Sequence, residues 1–355
     1  MQNNFLKSKS IQQIAYFFLL VLISAYVLAV FLRPTPDRYG INQYKRSMFL
    51  DTVNGQAYRP FAYRVLLPIT VRTVASITPQ NVHETFSAFV KDHRFSLQVF
   101  TTNQWETDAA YTYFIASLLM WLSFIGFGHY TAKLTMLTLK LDETPGLRAL
   151  LAVSVLLALP PFFKYTSYIY DPPQLFLFTL ALYFLASDRL RAFVISFIFC
   201  VINKETAILL IPIYAVMYYK QQPRRQFLGI TALLVALYLL IKLSINYAYR
   251  ISPGFTVETH LLEDNFRILT YGWTFTGLLT FAVYLWLLIY KWDEKPYFLK
   301  VAFLCTFPIL LGMTLLFGLI DEWRDYYEAY PAAFALIVGS LQRLGNILSK
   351  FDKPI

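Results

Sequence analysis

The stretch IQQIAYFFLLVLISAYVLAVFL, from Ile11 to Leu32, carries no charged residue and is close to the ~20 residues that a helix needs to cross a bilayer. Similar apolar blocks follow, for example from Tyr111 to Ala132 and from Gln226 to Tyr249. Hydrophobic residues make up 57% of the chain and charged residues only 15%, well below the ~25% typical of soluble globular proteins. The pattern excludes a water-soluble single domain and predicts an integral membrane protein.

We predict an all-α transmembrane bundle of about ten spans, in which residues 1–355 form a single integral membrane domain. Four central spans are too short to cross a ~30 Å hydrocarbon core upright at ~1.5 Å per residue, so we expect two hairpins whose tips line a cavity. The predicted spans are 11–32, 111–132, 149–163, 174–187, 193–202, 207–219, 226–249, 268–290, 299–320 and 332–349.

Lysines and arginines are unevenly divided between the two ends of this predicted bundle. The positive-inside rule assigns the richer end, which holds both termini, to the cytoplasm. Residues 33–110 then form one large outward loop with an amphipathic segment from Phe61 to Ile77. The connections around residues 171, 203, 250–267 and 321–331 face outward with it. The net charge of +10 follows from this topology, and because no continuous basic stripe is present we expect no nucleic-acid partner.

The run RPFAYRVLLP, residues 59–68, is the densest polar signal and lies where the outward loop meets the bilayer. Arginine binds phosphate oxygens through a two-pronged guanidinium, and such contacts strengthen where water is partly excluded. Arg59 and Arg64 are therefore candidates for binding a lipid phosphate. The alternative is that both arginines extend to anionic headgroups and that Pro60 begins a helix.

Two further motifs lie at the expected hairpin tips. Asp171, in YDPP at 170–173, is a candidate general base or sugar ligand beside tyrosines, or else a helix N-cap. NKET at 203–206 interrupts an apolar run, and charges at such depth are costly unless they are paired or face a cavity. Lys204 would contact a phosphate, and Glu205 would orient Lys204 or bind the acceptor. The alternative is an N-cap at Asn203 with Lys204 reaching the interface.

The stretch DEWRDYYE, residues 321–328, joins the last two predicted spans. Glu322 beside Arg324 predicts an ion pair that positions the arginine over the cavity; the alternative is an aromatic belt with solvated acids. Lys242 is expected to extend outward. No Cys or His cluster has metal-ligand spacing, so no cofactor is expected, although outer carboxylates leave a divalent metal open.

The order of these features resembles the glycosyltransferase-C (GT-C) superfamily, in particular bacterial members without an assigned role. Those membrane enzymes take a sugar from a polyprenyl-phosphate or diphosphate donor and work on the outer side. The resemblance implies a bacterial cytoplasmic membrane location and a catalytic acid soon after the first span. That acid corresponds to Asp37 in PDRY at 36–39, with Asp51 as second choice.

The resulting hypothesis is a glycosyltransferase that moves a sugar from a polyprenyl-phosphate-linked donor among membrane lipids to a glycan, lipid or protein acceptor. A carboxylate deprotonates the acceptor hydroxyl, and cations stabilise the departing phosphate. The alternatives are a transporter or flippase for a lipid-linked glycan and an inactive scaffold. The candidate residues are catalytic Asp37, Asp51 and Asp171, phosphate-binding Arg59, Arg64, Lys204 and Arg324, and acceptor-orienting Tyr63, Tyr170, Glu205 and Glu322.

Overall fold

The computed structural model describes residues 9–36, 38–255 and 262–351 of a chain that is mostly helical. Asp37, part of the predicted 250–267 connection and both ends of the chain lie outside the described residues. The helices are α1 (Lys9–Leu32), α2 (Phe49–Asn54), α3 (Leu66–Ile77), α4 (Gln80–Asp92), α5 (Arg94–Thr102), α6 (Ala110–Leu139), α7 (Pro145–Leu157), α8 (Asp171–Ala186), α9 (Leu190–Asn203), α10 (Leu210–Tyr218), α11 (Arg224–Ala248), α12 (Leu262–Tyr271), α13 (Phe275–Ile289), α14 (Tyr297–Leu304), α15 (Phe307–Phe317) and α16 (Tyr330–Phe351).

The helices that could cross a membrane by length and composition number five within the described ranges. They are Ser10–Leu32, Thr107–Leu139, Pro145–Phe162, Arg224–Ala248 and Tyr297–Phe317. The pair α12 and α13 makes a sixth if both count as one span. Large apolar side chains along these helices are exposed, for example Leu240 and Leu243 of α11, as expected of surfaces that contact lipid.

The expected count of ten spans is not confirmed. The segments predicted at 174–187, 193–202 and 207–219 are helical, but α8, α9 and α10 contain only 16, 14 and 9 residues. The segment 332–349 lies within α16, which is not among the candidate spans found in the described residues. Length and composition therefore support five or six spans and an all-α fold.

The predicted span at 268–290 is formed by two helices, α12 and α13, with a bend of 96° between them. A side chain at Gly272 would come within 2.6 Å of the Ile268 carbonyl oxygen, so only glycine fits at this exit from α12. The Thr274 hydroxyl then accepts a hydrogen bond from the Gly277 amide and caps the start of α13. These local signals explain the break.

Two short strands, β1 (Arg38–Tyr39) and β2 (Tyr165–Thr166), form a parallel pair in which Arg38 lies opposite Tyr165. The buried Arg38 guanidinium donates hydrogen bonds to the carbonyl oxygens of Val30 and Arg33 at the end of α1. A cation at a helix C-terminus satisfies carbonyl groups that have no partner within the helix. The connection that follows α1 is thereby fastened to the connection before α8.

Other connections meet at the same end of the bundle. The Arg59 amide donates to the Pro253 carbonyl oxygen (2.8 Å), and the Asn203 side-chain amide donates to the Tyr170 carbonyl oxygen (3.0 Å). Lys164 pairs with Asp321. We call the part of the molecule formed by residues 38–64, 163–171, 203–206, 250–255 and 318–329 the loop end. The predicted segment from Phe61 to Ile77 contributes a 3-10 turn and the amphipathic helix α3 here.

Helix α6 packs against α1, α7 and α8, and two glycines allow the close approach. A Cβ at Gly126 would lie 2.5 Å from a ring carbon of Phe176 on α8. A Cβ at Gly128 would lie 2.9 Å from a methyl group of Leu156 on α7. Small residues at helix contacts are how helices approach closely within a membrane, where apolar surface gains nothing by leaving lipid.

We expect Gly126→Val to destabilise the protein by about 1–3 kcal/mol, the usual cost of overpacking a filled contact. The control is Gly229→Val on α11, where an added Cβ meets no atom within 4 Å. Thermal unfolding of both variants in detergent measures the effect. Equal unfolding midpoints for the two variants would show that the α6–α8 contact accommodates the larger side chain without loss of stability.

Candidate functional site

A cavity of about 530 Å³ lies at the loop end. Its wall comes from the residues that follow β1, the 60–64 turn, β2, the 204–206 turn, α11, α15 and the connection after α15. The lining is largely aromatic and apolar, so the charged groups on it are only partly solvated. These charged residues are Arg64, Lys204, Glu205, Lys242, Glu322, Arg324 and Asp325.

Arg64 is fixed on the cavity wall by two neighbours that come from distant parts of the sequence. Its Nη2 donates to Oε1 of Glu205 (2.8 Å), and its Nη1 donates to the Tyr170 hydroxyl. The guanidinium also lies over the Tyr170 ring, 4.4 Å from the centroid. Burial lowers the pKa of Arg64, but the Glu205 carboxylate and the Tyr170 hydroxyl together raise it by more, so the pKa lies above its ordinary value. A charged, pre-oriented guanidinium results.

Three aromatic rings stack beside this arginine, and we call Phe61, Tyr168 and Tyr170 the ring stack. Tyr168 lies parallel to Phe61 and to Tyr170, with 5.2 Å between centroids in both pairs. Arg324 lies over the Tyr168 ring at 4.3 Å. The two arginines therefore rest on neighbouring rings of one stack, and their positive charges repel each other.

Arg324 is surrounded by carboxylates. Its Nε donates to Oε1 of Glu322 (2.6 Å), which is the ion pair predicted from the sequence, and its terminal nitrogens lie 4.0 Å from Asp171 and from Asp325. Burial lowers the pKa of Arg324, but Glu322 and the other acidic groups around it together raise it by more, so the pKa lies well above the ordinary value. Arg324 therefore stays positively charged although its side chain is largely buried, with only 11% of it exposed.

Asp171 is the first residue of α8 and is almost fully buried behind Arg324, outside the cavity lining. Neither of its carboxylate oxygens has a hydrogen-bond partner among residues 9–36, 38–255 and 262–351. Burial raises the pKa of Asp171 to about 6, against the opposing charges of Arg324 and Lys204. A carboxyl in this place can hold Arg324 in position, whereas an acceptor in the cavity would not touch it.

A buried polar network lies beneath the cavity and joins the two helix tips to the segment before α16. The Glu328 carboxylate accepts hydrogen bonds from the Thr206 hydroxyl and from the Gln174 amide (3.1 Å), and it lies 3.6 Å from the Lys204 ammonium. Asn203 donates to the Gln174 side-chain oxygen (3.0 Å). The sequence-predicted hairpin tips therefore come together.

The structure gathers six of the predicted site residues on the cavity wall and leaves others away from it. On the wall are Tyr63, Arg64, Lys204, Glu205, Glu322 and Arg324. Tyr170 and Asp171 lie behind the wall as partners of the two arginines. Arg59 and Asp51 are not among the lining residues, and Asp37 lies outside the described residues.

Arg59, predicted to bind phosphate, joins two connections at the loop end. Its Nη2 donates to the Gly254 carbonyl oxygen (2.6 Å), and its backbone amide donates to Pro253, so it fastens the 250–255 segment to the 58–60 turn. Asp51 lies on the half-buried short helix α2, and its backbone oxygen accepts hydrogen bonds from the amides of Gln56 and Ala57. Neither side chain reaches the cavity lining.

Sequence reasoning missed Glu328, Gln174 and a face of α11. Tyr238, Lys242 and Asn246 all line the cavity. Their spacing of four residues places them on one helix face, which is a signal that the sequence offered. The expectation that Lys242 extends outward is wrong: its side chain is 9% exposed, and its ammonium is buried.

Within the part of the chain that the structure describes, no three His, Cys, Asp or Glu side chains come together in a way that could hold a metal ion. The carboxylates on the cavity wall instead pair with cations, as Glu205 does with Arg64 and Glu322 with Arg324. Comparison with protein-family models, curated proteins and solved structures finds no match to this chain. The chemistry of the site therefore has to be argued from its own residues.

We expect Glu328→Leu to destabilise the protein by roughly 3–5 kcal/mol, because it leaves the buried Lys204 ammonium without its partner. Replacing both residues, as Lys204→Met with Glu328→Leu, removes both charges and should restore much of the loss. The matched control is the exposed pair Lys91–Asp108, where the atoms are closer (2.7 Å) but water solvates both charges, so Asp108→Ala should leave the unfolding midpoint almost unchanged.

Unfolding midpoints of the single and double variants in detergent give the coupling energy. If the loss of unfolding free energy in the double variant equals the sum of the losses in the two single variants, the two charges of the buried pair are not coupled.

Proposed function

We propose that this protein is a membrane glycosyltransferase of GT-C type that works on the outward side of a bacterial cytoplasmic membrane. The observation that carries the proposal is the meeting of cations and carboxylates from separate segments in one aromatic-walled cavity. In this proposal the bundle has about ten spans, the short helices α8, α9 and α10 cross a thinned region, and both termini face the cytoplasm. The asymmetry of Lys and Arg supports that orientation.

The proposed reaction moves a sugar from a polyprenyl phosphate to an acceptor hydroxyl. A bond forms between the acceptor oxygen and the anomeric carbon, while the bond from that carbon to the phosphate oxygen breaks. The electron pair leaves with the phosphate, and the hydroxyl proton goes to a carboxylate base. A phosphodiester with one negative charge thus becomes a phosphate monoester with two, and cations held in place stabilise the additional charge in the transition state.

Arg64, Lys204 and Arg324 are proposed to surround the leaving phosphate. Arg64 and Arg324 are held by carboxylates and rings before any ligand arrives, so little reorganisation is required when the charge develops. Glu205, whose side chain is 37% exposed, and Glu322 are proposed to orient the acceptor hydroxyls. Tyr63 lines the same cavity, and the hydroxyl of Tyr170 positions Arg64.

Asp37 is proposed as the base that accepts the hydroxyl proton. It follows Pro36 in the connection after α1, and Tyr39, two residues later, lines the cavity. Asp51 is the weaker candidate because it is not on the cavity lining, and Asp171 is assigned to positioning Arg324. The glycosyltransferase-C resemblance of the 36–39 motif supports the same choice.

We expect Asp37→Asn to lower kcat by about 10²–10⁴, the usual contribution of a general base, while the affinity for the donor lipid is largely kept. Asp51→Asn is the control and should retain near-normal turnover. The assay uses the purified protein in proteoliposomes with a polyprenyl-phosphate sugar and follows release of polyprenyl phosphate in the presence of candidate acceptors. Normal turnover by Asp37→Asn would refute the base assignment.

The same assay distinguishes the transporter hypothesis from the glycosyltransferase hypothesis. A flippase would move the labelled lipid across the bilayer without releasing polyprenyl phosphate, whereas a transferase would release it. Movement without release would overturn the proposed enzyme activity.

A further inference from the structure

Lys242 lies on α11, six residues before Ala248, the last helical residue. At ~1.5 Å per residue this places it about 9 Å below the helix end. The side chain lines the cavity together with Tyr238 and Asn246 on the same helix face. Tyr238 ties that face to the 204–206 turn, because its hydroxyl donates to the Glu205 carbonyl oxygen (3.3 Å).

The other three cations on the cavity wall each have a partner in the protein. Arg64 pairs with Glu205 (2.8 Å), Lys204 with Glu328 (3.6 Å) and Arg324 with Glu322 (2.6 Å). The Lys242 ammonium has no hydrogen-bond partner and no ion pair within 4.0 Å among residues 9–36, 38–255 and 262–351, although its nitrogen is shielded from solvent.

A lysine that merely reached for the interface would expose its ammonium to water or headgroups. Here the side chain is instead 9% exposed and its nitrogen is buried. The acid whose charge acts on Lys242 is Glu205, which already pairs with Arg64. A buried ammonium that has neither a hydrogen bond nor a close ion pair costs free energy, and a ligand anion can supply the missing acceptor. An anion with oxygen acceptors is the ligand chemistry that satisfies three N–H donors.

The part of the cavity wall that α15 forms is largely apolar. Leu310, Met313 and Phe317 of α15 follow a spacing of three and four residues, so they present one face of the helix to the cavity. A ligand that fits both parts of the wall has an anionic head and a hydrocarbon portion beside it. A free phosphate ion would use only the first of these two features.

We propose that Lys242 and Asn246 form the subsite for the phosphate group of an isoprenoid phosphate whose first chain units lie against Leu310, Met313 and Phe317. The inference rests on the proposed function, since the lipid is the donor or product of that reaction. Arg64 and Arg324 then contact the phosphate from the other side, while Glu205 remains available to the acceptor.

The test measures binding of farnesyl phosphate to the purified full-length protein in detergent by isothermal titration calorimetry. Lys242→Met keeps the length of the side chain without its charge and should weaken binding by roughly 10- to 100-fold, as for a lost hydrogen bond to a charged group. Lys242→Arg should bind within a few-fold of the unmodified protein. The control, Arg250→Ala, removes an exposed cation beyond the end of α11 and should not change the affinity.

Two further ligands identify what the subsite recognises. Farnesol lacks the phosphate, and its weak binding should be the same in the unmodified protein and in Lys242→Met. Inorganic phosphate lacks the chain and should bind far more weakly than farnesyl phosphate. If inorganic phosphate binds as tightly, the apolar wall contributes nothing and the proposed lipid subsite is wrong.

Unchanged affinity for farnesyl phosphate in Lys242→Met overturns the inference, as does an equal loss in Arg250→Ala. Lys242→Met should fold, because it removes a buried charge without a partner, and its unfolding midpoint serves as the check. Lys242→Gln gives a second neutral variant with the same expected loss. Binding through Lys242 without sugar transfer would overturn the proposed enzyme activity and leave this subsite standing. Sugar transfer by Lys242→Met with an unchanged KM for the donor lipid would overturn this subsite and leave the proposed enzyme activity standing.

Discussion

The Glu328 carboxylate has no exposed surface, lies 3.6 Å from the Lys204 ammonium and accepts hydrogen bonds from Thr206 and Gln174. A carboxylate is tolerated in an apolar interior only if such partners replace the water that it has lost. The tip before α10, the first turn of α8 and the segment before α16 therefore stay together, because separating them would leave a buried charge unpaired. The floor of the cavity depends on this contact.

Above that floor, the ring stack connects the two arginines. Arg64 rests on Tyr170 and Arg324 rests on Tyr168, and those rings are themselves in contact. A ligand anion that draws one guanidinium forward must therefore disturb a ring that also supports the other arginine. The carboxylates beside the arginines, Glu205 on the cavity wall and Asp171 behind it, restrain the same movement. This arrangement resembles a pre-formed electrostatic site more than a flexible binding surface.

The sequence predicted the elements whose signal is local. Continuous apolar blocks located α1 and α11 almost to the residue, and the polar motifs that interrupt such blocks identified Arg64, Lys204 and Arg324. Contacts between distant segments were not accessible in this way. The partners Arg64 and Glu205 are 141 positions apart, and nothing in the motif at 321–328 distinguishes the inward Glu328 from the other acids.

The errors have physical causes as well. Hydropathy alone does not reveal the break at Gly272 between α12 and α13, because the residues on both sides are apolar. The prediction for Lys242 rested on its distance from the helix end, which suits a side chain that extends to the interface, whereas the structure places it on the cavity wall with Tyr238 and Asn246.

The shortness of α9 has a bearing on how deep the chemistry lies. Its 14 residues span about 21 Å, roughly 9 Å less than a typical hydrocarbon core. In the proposed orientation one end of α9 lies at the cytoplasmic interface, so the tip at Asn203 lies within the membrane, below the outward interface. Water then has to enter the membrane to that depth to reach the tip. A lipid headgroup would then need only a short descent to meet Lys204, and most of its hydrocarbon tail could stay among the surrounding lipids.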